Sequence, residues 1–252
     1  MDKLIFTALN SVSAAQEDST IRSNNLANAS VPGFRRDIEP KSIGTSFLNT
    51  MEQYQTRNFA IREGRNRFSA DQGIVNYTGE LTDVAIEGKG YFIIQPQNAD
   101  RALSRRGDFK VDGDGLLRDG AGALILSSDM APIEVPPHRK MTINQSGLIV
   151  VEPFDGEPFE TQVIGTIATA EVEHSEIIKH KDGQIRLLDG TVPVPDNASK
   201  IAQGYLESSN VNTVEELVES LNRQRGYELN IKMITMAKEL DEATTSLMRL
   251  PN

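Results

Sequence analysis

The chain has 252 residues, with 36 acidic and 26 basic side chains and a formal net charge of -10 at pH 7. Hydrophobic residues make up 38% and charged residues 25%, which describes a soluble protein long enough to bury a core, as one large domain or two smaller ones. A pI near 4.9 excludes nucleic acid as the main partner, because a phosphate backbone needs a basic face. The absence of cysteine excludes disulfides and thiolate metal sites and suits a chain threaded unfolded through a pore.

The first residues, MDKLIFTALNSVSAAQ, loosely imitate a secretory signal. The apolar stretch from Leu4 to Leu9 is short, contains Thr7 and is interrupted by Asn10 and Ser11. Leu4, Ala8, Val12, Ala15 and Ser19 instead follow steps of three and four, widened by Ile5, Leu9 and Leu26. That spacing predicts an uncleaved amphipathic helix from Lys3 to Asn28, about 40 Å long. Val31 precedes Pro32 and is pushed out of helical conformation, and Gly33 then allows a turn. No apolar run anywhere approaches the ~20 residues that would cross a bilayer.

Near the end of this helix lies SNNLANASVPGF, with Asn24, Asn25 and Asn28 close together. Asparagine is poor inside a helix because its amide competes for backbone hydrogen bonds. Asn24 and Asn28 share a face, where they could bond a neighbouring chain and set register in a packed array. A frayed helix end leading into a turn explains them equally well, and the residues alone leave both readings open.

Residues 37–80 are polar and lack periodicity, and read as an extended connector. From 81 to 200 the pattern changes to short apolar runs broken by Gly, Pro, Asp and Asn. Val84 and Ile86 alternate, YFII follows Gly88-Lys89-Gly90, and Phe109 and Val111 precede DGDG, a hairpin-turn signal. An all-β central domain is expected. Residues 201–252 form the last region, in which Thr213 and Glu216 make a capping-box pattern, with Glu215 and Glu216 in the first turn. Val214, Leu217, Val218 and Leu221 form one apolar stripe, and Ile231, Ile234, Ala237, Leu240 and Leu247 a second. A helix from Val214 to Arg249 would reach about 54 Å before Pro251. Two such helices, at 1–36 and 201–252, are expected to pair as a coiled coil, giving an α+β chain with a β domain between its helical ends.

No motif carries catalysis. DGDG has Lys110 and Ala121 where a calcium loop wants acids, and Gly88-Lys89-Gly90 lacks phosphate-loop spacing. His174 and His180 bracket SEIIK without a third ligand at metal spacing, His138 sits in a loop, and no serine lies in a GxSxG elbow. Neither metal nor cofactor is expected.

SNNLANASVPGFRRD is similar to the N-terminal signature of the bacterial flagellar axial proteins, the rod and hook family, and LESSNVNTVEELVESLNRQRGYELNIKMI resembles its closing signature. LTDVAIEGKGYFII and SRRGDFKVDGDGLL resemble the entry to the family's β domain, with Arg105, Gly107, Phe109, Asp112, Gly115 and Leu117 in place. The MDKLIFTALNS start and the short connector resemble proximal-rod members. The resemblance implies a structural, non-enzymatic subunit that stacks helically with itself and other rod proteins, transmits torque, and leaves the cell through the flagellar type III export apparatus without a cleaved signal. It implies subunit-packing roles for Asn24, Asn25, Leu26, Asn28, Pro32, Gly33 and Phe34, and for Asn210, Val211, Asn212, Glu216, Leu217, Leu221, Gln224, Arg225, Tyr227 and Glu228. Burial of a helix pair through Leu4, Leu9, Val12, Leu217, Leu221, Ile234 and Leu240 is implied too. A distal-rod or hook subunit, or a wall-remodelling enzyme, are the alternatives.

Overall fold

The computed structural model describes residues 2–38, 67–154, 160–180 and 182–248. Helix α1 is Asp2–Ala27, of 26 residues, and α2 is Thr213–Met248, of 36. Beyond α1, the Val31 amide donates to the Asn28 carbonyl at 3.0 Å, and Gly33 adopts φ +66° after Pro32. α2 starts on Asn212, whose side-chain oxygen accepts from the amides of Val214 at 3.1 Å and Glu215 at 3.3 Å. The expected capping box is therefore replaced: Asn212 caps, and Glu216 turns its carboxylate toward α1. α2 runs through Gly226 without interruption.

The strands, in chain order, are β1 (Asp37–Ile38), β2 (Arg67–Phe68), β3 (Val75–Tyr77), β4 (Val84–Glu87), β5 (Tyr91–Gln95), β6 (Ala102–Ser104), β7 (Lys110–Val111), β8 (Leu117–Arg118) and β9 (Leu124–Ile125). They continue as β10 (His138–Ile143), β11 (Leu148–Pro153), β12 (Gln162–Thr166), β13 (Thr169–Ala170), β14 (Ile177–Lys179), β15 (Ile185–Leu187), β16 (Lys200–Gln203) and β17 (Tyr205–Glu207). The chain divides into two units. One holds α1, β1 and α2; the other holds residues 28–36 and the chain from β2 to Val211. Most of the connector expected over 37–80, at 39–66, lies outside the described residues.

The second unit is antiparallel. Its main sheet has the order β14-β15-β6-β5-β9-β8-β7, with β13 also on β5; β10, β11 and β12 form a meander, and β16 pairs β4 as β17 pairs β3. β5 explains why YFII reads as a continuous apolar run rather than an alternation. Phe92 and Ile94 enter one buried cluster, with Val84, Ile86, Phe109, Leu117, Ile125 and Ile149. Tyr91 and Ile93 enter another on the opposite face, with Phe68, Leu103, Ile177 and Ile185. The DGDG stretch is the turn between β7 and β8, where Lys110 pairs Arg118 and Val111 pairs Leu117. Asp112 holds it, accepting from the amides of Asp114 and Leu116 at 2.9 Å each and from Arg118 Nε at 2.5 Å. The Arg118 hydrogen bond keeps this carboxyl below its ordinary pKa. Those bonds occupy the oxygens that calcium would need.

The expected fold class needs correction. The described residues form a mostly β central body with α-helices of 26 and 36 residues at either end, and not long paired terminal helices forming a coiled coil. Of the residues assigned to bury the helix pair, Leu217 at 52%, Leu221 at 51% and Leu240 at 62% stay exposed on α2, while Val12 and Ile234 are half-buried. Part of the contact between α1 and α2 is polar. Asp18, Arg22 and Asn25, spaced by four and three along α1, are buried there. Arg22 reaches Glu216 at 3.1 Å and Glu219 at 2.8 Å, and Arg223 reaches Asp18 at 3.2 Å. The physical reason is register. A heptad carried forward from Leu217 and Leu221 meets Gln224 and Glu228, then Ile231 and Thr235, then Lys238 and Glu242, so the apolar seam is interrupted at most positions.

Candidate functional site

The residues of the two signature motifs gather at two places, one in each unit. In the first unit, Asn25 is 1% exposed. Its Nδ2 donates to the Asp37 carbonyl at 3.0 Å and its Oδ1 accepts from the Asp37 amide at 2.8 Å, so one side chain closes both backbone groups of β1's first residue. The same Nδ2 lies 3.4 Å from Glu216 Oε1, and Asn24 Nδ2 donates to Asp37 Oδ2 at 2.8 Å. Removing the Asn25 amide takes away the side-chain partner of both Asp37 backbone groups. Asn25→Ala is expected to destabilise this unit by about 1–3 kcal/mol. The reading is hydrogen exchange: the Asp37 amide and α1's last turns should exchange faster, and unchanged protection would refute the bond's role.

In the second unit, the loop 31–36 lies against the residues after β17. The Gly33 amide donates to the Glu207 carbonyl at 2.8 Å and the Asn210 amide to the Phe34 carbonyl at 3.3 Å. Asn210 Oδ1 accepts from the Arg36 amide at 2.7 Å, and its Nδ2 donates to the Asp71 carbonyl at 2.8 Å. Beneath the loop, the Glu207 carboxylate is divided between two arginines. Its Oε1 is 3.0 Å from Arg35 and its Oε2 is 3.2 Å from Arg105. All three residues are buried, Arg35 at 2%, Arg105 at 5% and Glu207 at 1% exposure. Backbone carbonyls supply the rest: Arg35 donates to Asp71, and Arg105 to Ile86 at 3.3 Å and Gly88 at 2.5 Å. Burial lowers the Arg105 pKa, with Glu207 acting against it. Arg105 also lies over the Tyr91 ring at 5.2 Å, and burial raises that phenol's pKa. Lys179 Nζ sits 3.9 Å from the Phe34 ring centre and donates to the Arg35 carbonyl at 3.0 Å.

The structure thus brings Asn25 to Glu216, Gly33 to Glu207, and Phe34 to Asn210. It does not gather Gln224, Arg225, Tyr227 and Glu228 with them; these lie further along α2, with Tyr227 41% exposed. Leu26 is 42% exposed, while Asn28, Pro32 and Val211 are half-buried. Sequence reasoning did not single out Arg35, Glu207 or Lys179. The FRRD and LESS stretches contain the first two, but a charge destined for burial carries no local pattern. His174 packs its ring edge against Phe68 at 4.8 Å. Among the described residues no three His, Cys, Asp or Glu side chains are grouped to hold a metal.

This arrangement is a set of clasps between distant parts of one chain. Comparison with known proteins agrees with a structural class. Residues 85–151 match the flagellar hook protein FlgE/F/G D1 domain, and residues 202–247 match the flagellar basal body rod FlgEFG protein C-terminal family. Over these two stretches the chain is similar to the flagellar basal-body rod and hook proteins. It is 28% identical to the flagellar basal-body rod protein FlgF of Salmonella typhimurium, over 99% of this chain and 100% of that protein. It is also 28% identical to FlgF of Caulobacter vibrioides, over 96% of each, and 28% identical to FlgG of Borreliella burgdorferi, over 99% of this chain and 100% of that one.

Proposed function

We propose that this protein is a structural subunit of the flagellar basal-body rod, placed in its proximal part, and that it has no catalytic activity. The observation that carries the reading is the end-to-end match with rod proteins. The exposed apolar residues of α2 support it: Val214, Leu217, Val218 and Leu221 are each at least half exposed, more than an isolated chain leaves in water without use. On this reading they pack against neighbouring copies and other rod proteins, with Gln224, Arg225, Tyr227 and Glu228 along the same helix. Stacked subunits then carry torque across the periplasm. The cysteine-free chain leaves through the flagellar export apparatus. Among the described residues, no helix is long and apolar enough to cross a membrane. A distal-rod position is the second reading, favoured by the equal identity to an FlgG protein.

Two experiments test this. Immunogold labelling of purified basal bodies should place the protein in the rod near the inner membrane; labelling at the distal rod selects the second reading, and absence from basal bodies refutes both. Leu217→Asp with Leu221→Asp should abolish swimming in a strain lacking the wild-type chain, while thermal unfolding of the β unit stays unchanged. Normal swimming would remove α2 from the packing surface.

A further inference from the structure

The β unit holds a groove that neither clasp uses. The Asp112–Gly115 turn, the segment from Glu134 to His138, Phe154 and the start of β12 line a cavity of about 800 Å³. That size suits a bound segment or ligand, for which about 300–1,000 Å³ is usual. Part of its lining is apolar and accessible: Phe154 is 56% and Val163 60% exposed, beside half-buried Val111 and Ile164. Large apolar side chains grouped in an open concavity mark a contact surface. The polar part of the lining holds three carboxylates, Asp112, Asp114 and Glu134, with His138 and Gln162. Asp112 is occupied by Arg118 and the turn amides. Asp114 and Glu134 are exposed, and among the described residues neither makes an ion pair. The nearby Arg139 is engaged with the Phe154 carbonyl at 3.0 Å.

We propose that this groove docks a basic, apolar-anchored segment of a partner protein other than a second copy of this chain. An aliphatic or aromatic side chain of that segment fits between Phe154, Val163 and Val111, and flanking lysines or arginines meet Asp114 and Glu134. Such pairing selects a partner by complementary potential. A second copy is disfavoured as the occupant of this groove because acidic residues outnumber basic ones, 36 to 26, in the chain it would supply. This inference stands on the groove alone and does not depend on the rod reading.

The test uses the full chain and a short capped peptide alternating lysine and leucine, followed by amide chemical shifts. Shifts should cluster at Val111–Gly115, Val135 and Val163, and binding should weaken with salt. The double variant Asp114→Lys with Glu134→Lys, and separately Val163→Asp, should each bind about tenfold more weakly, the order expected for reversing two exposed charges or placing one in an apolar contact. All three positions are exposed, and matched thermal midpoints would verify their fold. Equal binding by the variants, shifts elsewhere, or equal binding of a glutamate–leucine peptide would overturn the proposal. In cells, a photoreactive amino acid replacing Phe154 should crosslink to a basic segment of another protein. Crosslinking to a second copy, to glycan alone, or to nothing would also overturn it. Absence of the protein from basal bodies would refute the rod reading and leave the peptide result standing.

Discussion

Glu207→Gln is expected to lower the stability of the β unit by about 3 kcal/mol or more. The substitution keeps the shape of the side chain and removes its charge. Arg35 and Arg105 would then face each other across a neutral amide, at 2% and 5% exposure, with water excluded. Breaking a buried ion pair by neutralising one partner typically costs about 3–5 kcal/mol, because the remaining charge is uncompensated. Here two charges remain, although the carbonyls of Asp71, Ile86 and Gly88 soften the effect. Urea unfolding should be followed by far-ultraviolet circular dichroism, since the chain has no tryptophan. Adding Arg35→Gln to the Glu207→Gln background should cost less than Arg35→Gln alone, because the three side chains act as one unit. A loss under about 1 kcal/mol in the first variant would mean that water reaches the cluster.

The second large effect is expected at Gly33. Its φ of +66° is a conformation that L side chains rarely adopt, and a Cβ added there would lie 2.3 Å from both the carbon and the oxygen of the Arg105 carbonyl. The backbone itself would have to move, and with it the bonds from Gly33 to Glu207 and between Asn210 and Phe34. Gly33→Ala is expected to release the 31–36 loop and destabilise the β unit by more than about 3 kcal/mol, combining backbone strain with overpacking. Gly88→Ala is the control. Gly88 has φ +81° but open space around the position of a Cβ, so only the conformational cost of about 1–2 kcal/mol applies. Similar losses in the two variants would show that close approach to Arg105 contributes nothing. Proteolysis within residues 28–36, accelerated in Gly33→Ala alone, would report the released loop directly.

These predictions concern residues whose importance was unevenly legible. Gly33 announced itself, because Pro followed by Gly at a helix end has a local conformational meaning. Glu207 and Arg35 did not. Each reads as a surface charge, and only the meeting of residues 33–36 with 207–210 makes them buried. Asn25 stands between these cases. Its presence near a helix end is unusual, yet whether its amide would serve a neighbour or its own chain was open. In the folded chain it binds Asp37 and Glu216. Asn212 similarly displaced the expected Thr213 cap, since a neighbouring asparagine offers the same acceptor one residue earlier.

Local elements were legible in the residues alone: both helices, from steps of three and four between apolar residues and from Pro32, Gly33 and the acidic first turn of α2; and the β-rich middle, from short apolar runs punctuated by turn residues. These follow from backbone sterics and side-chain period, which act over a few residues. How the helices use their faces was settled by long-range packing. An apolar stripe specifies that something must cover it, but not what. Part of the contact between α1 and α2 goes instead to Asp18, Arg22, Asn25, Glu216 and Arg223, where complementary charge and hydrogen bonding match at close range, and α2's leucines are left exposed. Burial of charge is likewise a non-local property. It depends on which distant segments fold over a side chain, and no pattern within either segment encodes it.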